Sequence, residues 1–382
     1  MMCVSVRATS GASVCVVVCA VVYWLLAKRE KEMVRASFDL GSGEHKLVVA
    51  RVRGGTQIVE ILYSESMPVA LGVDLRRPGS DGSLSPRALH ESSSAMTRLA
   101  RKARALGASE VSGVATAVFR RASNGRLHIA GATRRLAMRL DLVSQALEGE
   151  LGFKTAFAAY RRTRPTATDR RVVSWDSGGG SFQLAVRGGK VYEGPLGSSD
   201  VLALLRDLDR FDATPNPVPL DRALALVKNI DLPPTPDWLA RAIRDKDVVG
   251  FGHRTSIFRL AADVHGTPDI SISDAWAALR FVAAKTDDDL AAALGDRARA
   301  HAPTIAPHDA FDHTPYPELP LIVPKLALLV AVMTRLGIAR VHYEYANGNC
   351  LGVLVHPPLW YRHARRRKSK PWWTSRTLSN ST

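Results

Sequence analysis

Residues 172–186 read VVSWDSGGGSFQLAV, which is the most informative segment of the chain. Two apolar runs of strand type enclose Asp176, three glycines and Ser181. Consecutive glycines let the backbone take positive φ and bring several N–H groups close to an anion, while an aspartate at the end of the first strand can hold a cation. An ordinary hairpin turn, the simpler interpretation, needs only two residues. The stretch therefore predicts a β-hairpin that binds phosphate.

A second stretch of the same build lies near the start of the body. The run from Val34 to Val52 reads as strand, an Asp-x-Gly turn at Asp39 to Gly41, and strand again. Asp39 and Asp176 are 137 positions apart (176 − 39). Either turn alone is weak evidence, but the pair predicts two structurally related halves.

Length and charge limit the class of protein. The 382 residues are enough for two domains, and 46% hydrophobic and 23% charged residues are ordinary for a globular protein. The 52 Lys and Arg against 36 Asp and Glu give a net charge of +16. Such a balance favours anionic partners, such as polyphosphate, nucleic acid or an acidic membrane surface.

The four cysteines do not form a disulfide framework. Cys3, Cys15 and Cys19 lie near the N-terminus, and Cys350 is left for the body. With no metal-ligand spacing either, the pattern indicates a reducing compartment and a cytoplasmic body.

Both ends of the chain differ from the body. Residues 11–27 are almost entirely apolar and are followed by a basic flank at Lys28. Three interpretations fit residues 1–32: a membrane anchor, a targeting peptide, or an extension upstream of a true start at Met33. Residues 361–382 predict a disordered basic tail, and both termini are candidates for contact with an anionic membrane.

The body alternates strands with helices, which predicts an α/β fold. The spacing predicts one helix over about Ala132–Glu150 and a short apolar piece at Phe153–Ala159. Arg161–Arg171 is the expected crossing between domains, and Leu321–Leu336 is an expected buried helix. Asn347–Gly348 is a turn signal between two expected strands.

Four segments in this order resemble the exopolyphosphatase / guanosine pentaphosphate phosphohydrolase (Ppx/GppA) family of the actin-like ATPase superfamily. The segments are Phe38–Ser42, Ala115–Gly125, Asp176–Ser181 and Gly194–Ser198. The resemblance implies two ribonuclease H-like domains facing a central cleft. We place the domains at residues 33–168 and 169–360.

The resemblance also implies roles for individual residues. Asp39 and Asp176 would be catalytic and would hold Mg²⁺ or another divalent cation, or orient water. The phosphate-binding residues would be Gly41, Ser42, Gly43, Thr116, Arg120, Asn124, Gly178, Gly179, Gly180 and Ser181.

Two departures from the family pattern concern catalysis. The family continues its first hairpin with Ser-Asn-Ser, whereas this chain has Gly43-Glu44-His45 after Ser42. The family also has a Ser-Gly-x-x-Glu-Ala helix start that supplies a general base, and no Asp or Glu lies between Glu150 and Asp169. The base is therefore expected to be missing from its place. Glu44 is the tentative replacement; Glu148 and Glu150 lie at a helix end near the gap, and Glu150 is the second candidate. His253, in place of a family glycine, is either a phosphate ligand or a structural turn residue.

The sequence leaves three functions open. The first is hydrolysis of a phosphoanhydride, either polyphosphate or guanosine pentaphosphate. The second is a catalytically impaired relative that binds such a ligand without turnover. The third is an ATP-dependent kinase or chaperone of the same superfamily. A homodimer is a further candidate, and no specific nucleic acid partner is expected.

Overall fold

The computed structural model describes residues 32–209, 215–305 and 319–360. The apolar segment at 11–27 and the basic tail at 361–382 lie outside these residues, and so do the predictions made for them. The first lobe is formed by β1 (Glu32–Leu40), β2 (Glu44–Arg53), β3 (Gln57–Pro68), α1 (Leu71–Leu75), α2 (Pro86–Ala105), β4 (Glu110–Ala115), α3 (Ala117–Arg121), α4 (Gly125–Leu136) and β5 (Arg139–Leu142).

The sheet of the first lobe has the strand order β3-β2-β1-β4-β5. Strands β1, β2 and β3 form an antiparallel meander, and β4 and β5 run parallel to β1. Helix α2 begins at Ser85, whose side chain accepts a hydrogen bond from the Ala88 N–H. Its apolar face, including Met96 and Leu99, packs in one core with Phe38 of β1. This packing of α2 on β1 fixes the end of β1, where Asp39 lies.

A long helix, α5 (Gln145–Thr163), leads to the second lobe. The second lobe contains β6 (Val172–Ser177), β7 (Phe182–Val186), β8 (Lys190–Gly194), α6 (Ser198–Asp209), α7 (Leu220–Asn229), α8 (Asp237–Asp245), β9 (Asp247–Gly252), α9 (Ile257–His265), β10 (Asp269–Ser271), α10 (Ile272–Val282), α11 (Asp287–Ile305), α12 (Ile322–Leu336) and β11 (Arg340–Tyr345). A short helix, α13 (Cys350–Leu354), follows β11.

The second sheet repeats the topology of the first. Its order is β10-β11-β9-β6-β7-β8, with β6, β7 and β8 as an antiparallel meander and β9 and β11 parallel to β6. Strand β6 therefore corresponds to β1, and the β6–β7 turn corresponds to the β1–β2 turn. The prediction of two related halves from the two Asp-x-Gly turns is confirmed, as is the two-lobed α/β fold.

The core of the second lobe is large and includes α12. Every residue of α12 from Ile322 to Met333 is buried. Within the part of the chain that the structure describes, the span Leu319–Leu336 is long and apolar enough to cross a membrane, yet 78% of it is buried inside the protein. It therefore serves as a core helix, as its sequence predicted.

Two helices connect the lobes. Helix α5 packs on the second sheet, and α13 packs on β1, β2 and α5. The two helices touch at Gly352, where a Cβ would lie 2.1 Å from the Leu151 carbonyl oxygen. Glycine is therefore required for this crossing. Because both helices cross, the division into domains near residue 168 stays a proposal.

Two expected elements were wrong. The helix expected over Ala132–Glu150 is interrupted, because α4 ends at Ala137 with φ of 49° and β5 intervenes before α5. The strand expected after Asn347–Gly348 is instead helix α13.

Candidate functional site

The ends of β1 and β6 meet at a cleft of about 140 Å³ between the lobes. Both Asp-x-Gly turns line it. The residues around the cleft also include Lys46, Thr116, Glu148, His253, Lys325, Gly348 and Asn349. The charged groups of both lobes therefore converge on one small volume.

The β1–β2 turn is held in place by its own backbone and by the segment after β3. The Gly41 N–H donates to the Glu44 carbonyl at 2.9 Å, which closes the turn. The Gly43 carbonyl accepts from Val69 at 2.9 Å, and the Ser42 carbonyl accepts from Gly72 at 2.8 Å. The carbonyl and the following N–H of a trans peptide point in opposite directions. The N–H of Gly43 therefore points away from Gly72.

The β6–β7 turn is built in the same way. The Gly178 N–H donates to the Ser181 carbonyl at 2.9 Å. The carbonyls of Gly178 and Gly179 accept from Ser198 and Ser199 at 3.1 and 2.9 Å. The amides of Gly179 and Gly180 therefore point away from Ser198 and Ser199.

The two turns are in contact across the cleft. A Cβ on Gly179 would lie 3.0 Å from Ser42 Cβ and 3.8 Å from the Gly43 nitrogen. A Cβ on Gly180 would lie 3.1 Å from Ser42 Oγ. A side chain at either glycine would therefore crowd Ser42. The structure thus brings together all of the predicted hairpin residues, Gly41 to Gly43 and Gly178 to Ser181.

Asp39 and Asp176 lie at the floor of the cleft. Asp39 is 4% exposed, and its Oδ2 accepts a hydrogen bond from the Asn349 N–H at 2.8 Å. Asp176 Oδ2 accepts from Asn349 Nδ2, also at 2.8 Å. Burial, followed by the charge of Asp39, raises the pKa of Asp176 to about 6. The two carboxylates therefore interact, as ligands of one cation would.

Lys46 supplies positive charge to the same floor. It pairs with Asp39 in the β1–β2 register and lines the cleft. Burial alone would lower its pKa, but Asp39, Glu44 and Asp176 outweigh burial and raise it. Lys46 is therefore charged and available to phosphate oxygens.

Glu148 lies in the first turn of α5. Helix α5 begins after Ser144, whose side chain accepts from the Leu147 N–H at 3.2 Å. Ser144 and Glu148 agree with two of the four defined positions of the family pattern Ser-Gly-x-x-Glu-Ala, while Gln145 replaces its glycine and Gly149 its alanine. The sequence places the expected base after Glu150, where the chain has no acid, whereas Glu148 lies before that segment and lines the cleft. A role for Glu148 as the base is therefore a proposal.

The surroundings of Glu148 suit a base. Its side chain lines the cleft and is 7% exposed. Arg120 Nη1 donates to Glu148 Oε2 at 2.7 Å. Burial raises the pKa of Glu148 to about 8; Arg120 acts against burial, whereas Asp176 and Asp39 act with it.

The two bases proposed from the sequence have other partners. Glu44 is ion-paired with His253 and accepts from Thr255 Oγ1 at 3.2 Å. Burial raises the pKa of Glu44, but His253, with Lys46 and Lys325, overrides it and lowers the pKa to about 2. Glu150 points to Lys154 at 3.0 Å, and its side chain is 41% exposed. Glu44 is too weak a base, and Glu150 is not among the residues that line the cleft. A role as the general base is therefore supported for neither residue.

Of the predicted phosphate ligands outside the two turns, one lines the cleft and two do not. Thr116 lines the cleft, and its hydroxyl donates to the Leu40 carbonyl at 3.2 Å. Arg120 donates to Glu148 and to the Val143 carbonyl, and it is not among the residues that line the cleft. Asn124 donates to the Leu84 carbonyl at 2.8 Å and accepts from the Leu84 N–H at 3.0 Å. Its amide is occupied outside the cleft, so a phosphate-binding role for Asn124 is not supported.

The donor set fits Mg²⁺ only when substrate contributes ligands. Among the described residues, no cluster of three or more His, Cys, Asp or Glu side chains could hold a metal ion. Mg²⁺ is commonly bound by one or two carboxylates together with substrate phosphates and water. Asp39 and Asp176 form such a pair, and the buried Ser177 hydroxyl beside them has no hydrogen-bond partner in the described structure.

The two lobes with opposed glycine turns define the actin-like ATPase fold class. Similarity to solved structures agrees with this class. The chain aligns with the Ppx/GppA family member of Aquifex aeolicus at a TM-score of 0.57 and 16% identity, over 86% of this chain and 98% of that one. It aligns with an exopolyphosphatase from Cytophaga hutchinsonii at a TM-score of 0.59 and 17% identity, over 84% and 96%.

Sequence comparison adds a match to one family. Residues 48–195 match the model of the Ppx/GppA phosphatase family. A guanosine-5'-triphosphate,3'-diphosphate pyrophosphatase of Pseudoalteromonas translucida is 26% identical over 184 residues, which are 48% of this chain. The match spans only 34% of that relative's length.

Proposed function

We propose that this protein is a phosphoanhydride hydrolase that releases terminal phosphate from inorganic polyphosphate or guanosine pentaphosphate. The observation that carries the proposal is that Glu148, Asp39 and Asp176 lie in one cleft with both glycine turns. Hydrolysis needs a base, charge neutralisation and positioning of the phosphate, and the cleft offers a residue for each.

The two turns would bind the phosphate to be removed. Their amides, together with the Ser42 and Ser181 hydroxyls, donate to phosphate oxygens, and Lys46 neutralises part of their charge. A cleft of about 140 Å³ is smaller than the roughly 300–1,000 Å³ of ordinary small-molecule sites. It therefore suits the end of a phosphate chain better than a whole nucleoside.

Glu148 would remove the proton from the attacking water. Arg120 occupies Oε2, so Oε1 is the atom free to accept the proton. A carboxylate whose pKa is raised to about 8 is a stronger base than an ordinary glutamate. This position for the base removes the reason for a catalytically impaired relative, which was the apparent loss of the glutamate.

Asp39 and Asp176 would hold Mg²⁺, which when bound neutralises charge on the phosphate oxygens. This assignment explains why two carboxylates share one buried floor. Free of a cation, they would repel each other.

The remaining assignments belong to the same proposal. The domains are 33–168 and 169–360, the described body is cytoplasmic, and the net charge of +16 favours a polyanionic substrate over a neutral one. A homodimer stays a prediction.

The test is phosphate release by the full chain with Mg²⁺ from polyphosphate, tripolyphosphate and guanosine pentaphosphate, each compared with ATP. We expect release from at least one of the first three substrates and its loss in Asp176→Asn. Binding without release in the wild type would instead support the impaired relative. Transfer from ATP to a sugar would support a kinase.

A further inference from the structure

The link between β11 and α13, residues 346–349, passes between the two predicted metal carboxylates. Its first residue is held by the second lobe, since the Ala346 N–H donates to the Gly252 carbonyl at 3.1 Å. The link then continues into α13, which packs on β1 and β2 of the first lobe. The sequence indicated only a hairpin turn here.

Asn347 anchors this link to β3. Its Oδ1 accepts from Ser66 Oγ at 2.7 Å, and its Nδ2 donates to Ser64 Oγ at 3.0 Å and to the Glu65 carbonyl at 2.9 Å. The side chain is buried. A buried amide with both ends bonded fixes the backbone on either side of it.

Gly348 brings the backbone against Asp39. Its φ is 56°, in the left-handed region that favours glycine. A Cβ here would lie 2.3 Å from Asp39 Oδ2 and 2.7 Å from Lys46 Cδ. Any other residue would push Asp39 out of place.

Asn349 joins the two carboxylates. Its backbone N–H donates to Asp39 Oδ2, and its side-chain amide donates to Asp176 Oδ2, both at 2.8 Å. One residue, 2% exposed, therefore contacts an aspartate of each lobe. Both bonds are made to Oδ2 of the aspartate.

Helix capping does not account for this side chain. Asn349 occupies the N-cap position of α13, where an asparagine usually accepts a bond from the first helical turn. In the described structure its side chain makes no such bond, and its Oδ1 is buried with no hydrogen-bond partner. The side chain bonds to Asp176 and leaves the first turn of α13 without a side-chain cap.

We propose that Asn349 is a positioning residue that orients Asp39 and Asp176 toward a common divalent cation between the lobes. The proposal rests on the metal role of these aspartates in the proposed function. Groups that hydrogen-bond to metal ligands fix their orientation, and their loss typically costs 10- to 100-fold in metal affinity.

The test is Mn²⁺ binding to the full chain at saturating inorganic phosphate, which supplies the ligands that substrate would supply, with the Mn²⁺ not bound to protein counted by electron paramagnetic resonance. Asn349→Ser retains an N-cap residue but cannot reach Asp176, and Asn349→Ala is the second variant. We expect each to lose about 10-fold or more in Mn²⁺ affinity. Asn124→Ala, which breaks two hydrogen bonds outside the cleft, is the matched control and should bind Mn²⁺ like the wild type.

A double-mutant cycle separates positioning from general loss of structure. In an Asp176→Asn background, Asn349→Ser should cost little further affinity, because the bond it removes acts through Asp176. Unchanged Mn²⁺ affinity in Asn349→Ser, an equal loss in both backgrounds, or a wild type that binds no Mn²⁺ would each overturn the proposal. If the wild type binds Mn²⁺ with an affinity that depends on Asn349 but releases no phosphate, only the proposed function is contradicted.

Discussion

Glu148 Oε2 lies 2.7 Å from Arg120 Nη1, so an arginine from the first lobe holds the glutamate of the connecting helix. The same arginine donates to the Val143 carbonyl just before that helix. Arg120 thereby fixes both the start of α5 and the direction of its glutamate. Arg120 contacts the proposed base, whereas the sequence resemblance implies that it contacts phosphate.

Burial of Glu148 makes stability depend on pH in a specific direction. Its pKa rises from 4.5 in the unfolded chain to about 8 in the folded one. The contribution of protonated Glu148 to the free energy of unfolding is therefore fully present below about pH 4.5 and is lost as the pH rises through about 8. Glu148→Gln lacks this dependence, so its advantage in free energy of unfolding over the wild type should grow from pH 5 to 8 and then level off.

The size of this effect is at most about 5 kcal/mol, from about 1.4 kcal/mol per pKa unit, and the lost bond to Arg120 reduces it. Denaturant unfolding in EDTA measures it. Glu150→Gln, two residues further along α5, is the control and should follow the wild-type profile. A Glu148→Gln profile parallel to the wild type would show that Glu148 is not buried in this way.

Glu44 should behave as an ion-pair residue and not as a base. Its pKa is lowered from 4.5 to about 2, so its contribution is present above about pH 4.5 and is lost as the pH falls through about 2. Glu44→Gln should cost up to about 3 kcal/mol of stability at pH 7 and much less at pH 3. Phosphate release should fall less than 10-fold. Loss of release with intact substrate binding would return Glu44 to the role of base.

Gly197 supports the second glycine turn from behind. A Cβ there would lie 2.4 Å from the Gly178 carbonyl oxygen, the Gly179 carbonyl carbon and the Gly180 nitrogen. Gly197→Ala should therefore displace the turn and weaken phosphate binding by 10-fold or more, measured by calorimetry with tripolyphosphate. The matched control is Gly131→Ala in α4, where an added Cβ would have no atom from another part of the chain within 4 Å. It should bind normally and gain up to about 1 kcal/mol of stability. Equal binding by both variants would contradict the placement of the turn.

Local signals predicted the two turns and the paired sheets. Asp39 and Asp176 each follow an apolar strand and precede glycines, a pattern that has the same meaning wherever it lies in the chain. Repetition of the pattern was enough to predict two related lobes. The pattern does not predict which other residues lie close to the turns.

The sequence places Glu148 at the end of a helix and not at the start of one, because a helix end carries no ordinary marker. Helix α4 ends at Ala137 in the left-handed region, where glycine is the usual residue, so the helical spacing continues to Glu150. Ser144 was the available signal, as an N-cap four residues before Glu148. Asn349 had no local signal, because its bonds join residues 310 and 173 positions away.

The central claim is that Glu148 activates water for phosphate release. The most direct test is the rate of phosphate release from polyphosphate by wild type and Glu148→Gln, at saturating substrate and Mg²⁺, with substrate affinity measured alongside. We expect kcat to fall by about 10²- to 10⁴-fold with affinity changed only a few-fold, while Glu150→Gln keeps the wild-type rate. A Glu148→Gln protein that releases phosphate at the wild-type rate would contradict the claim.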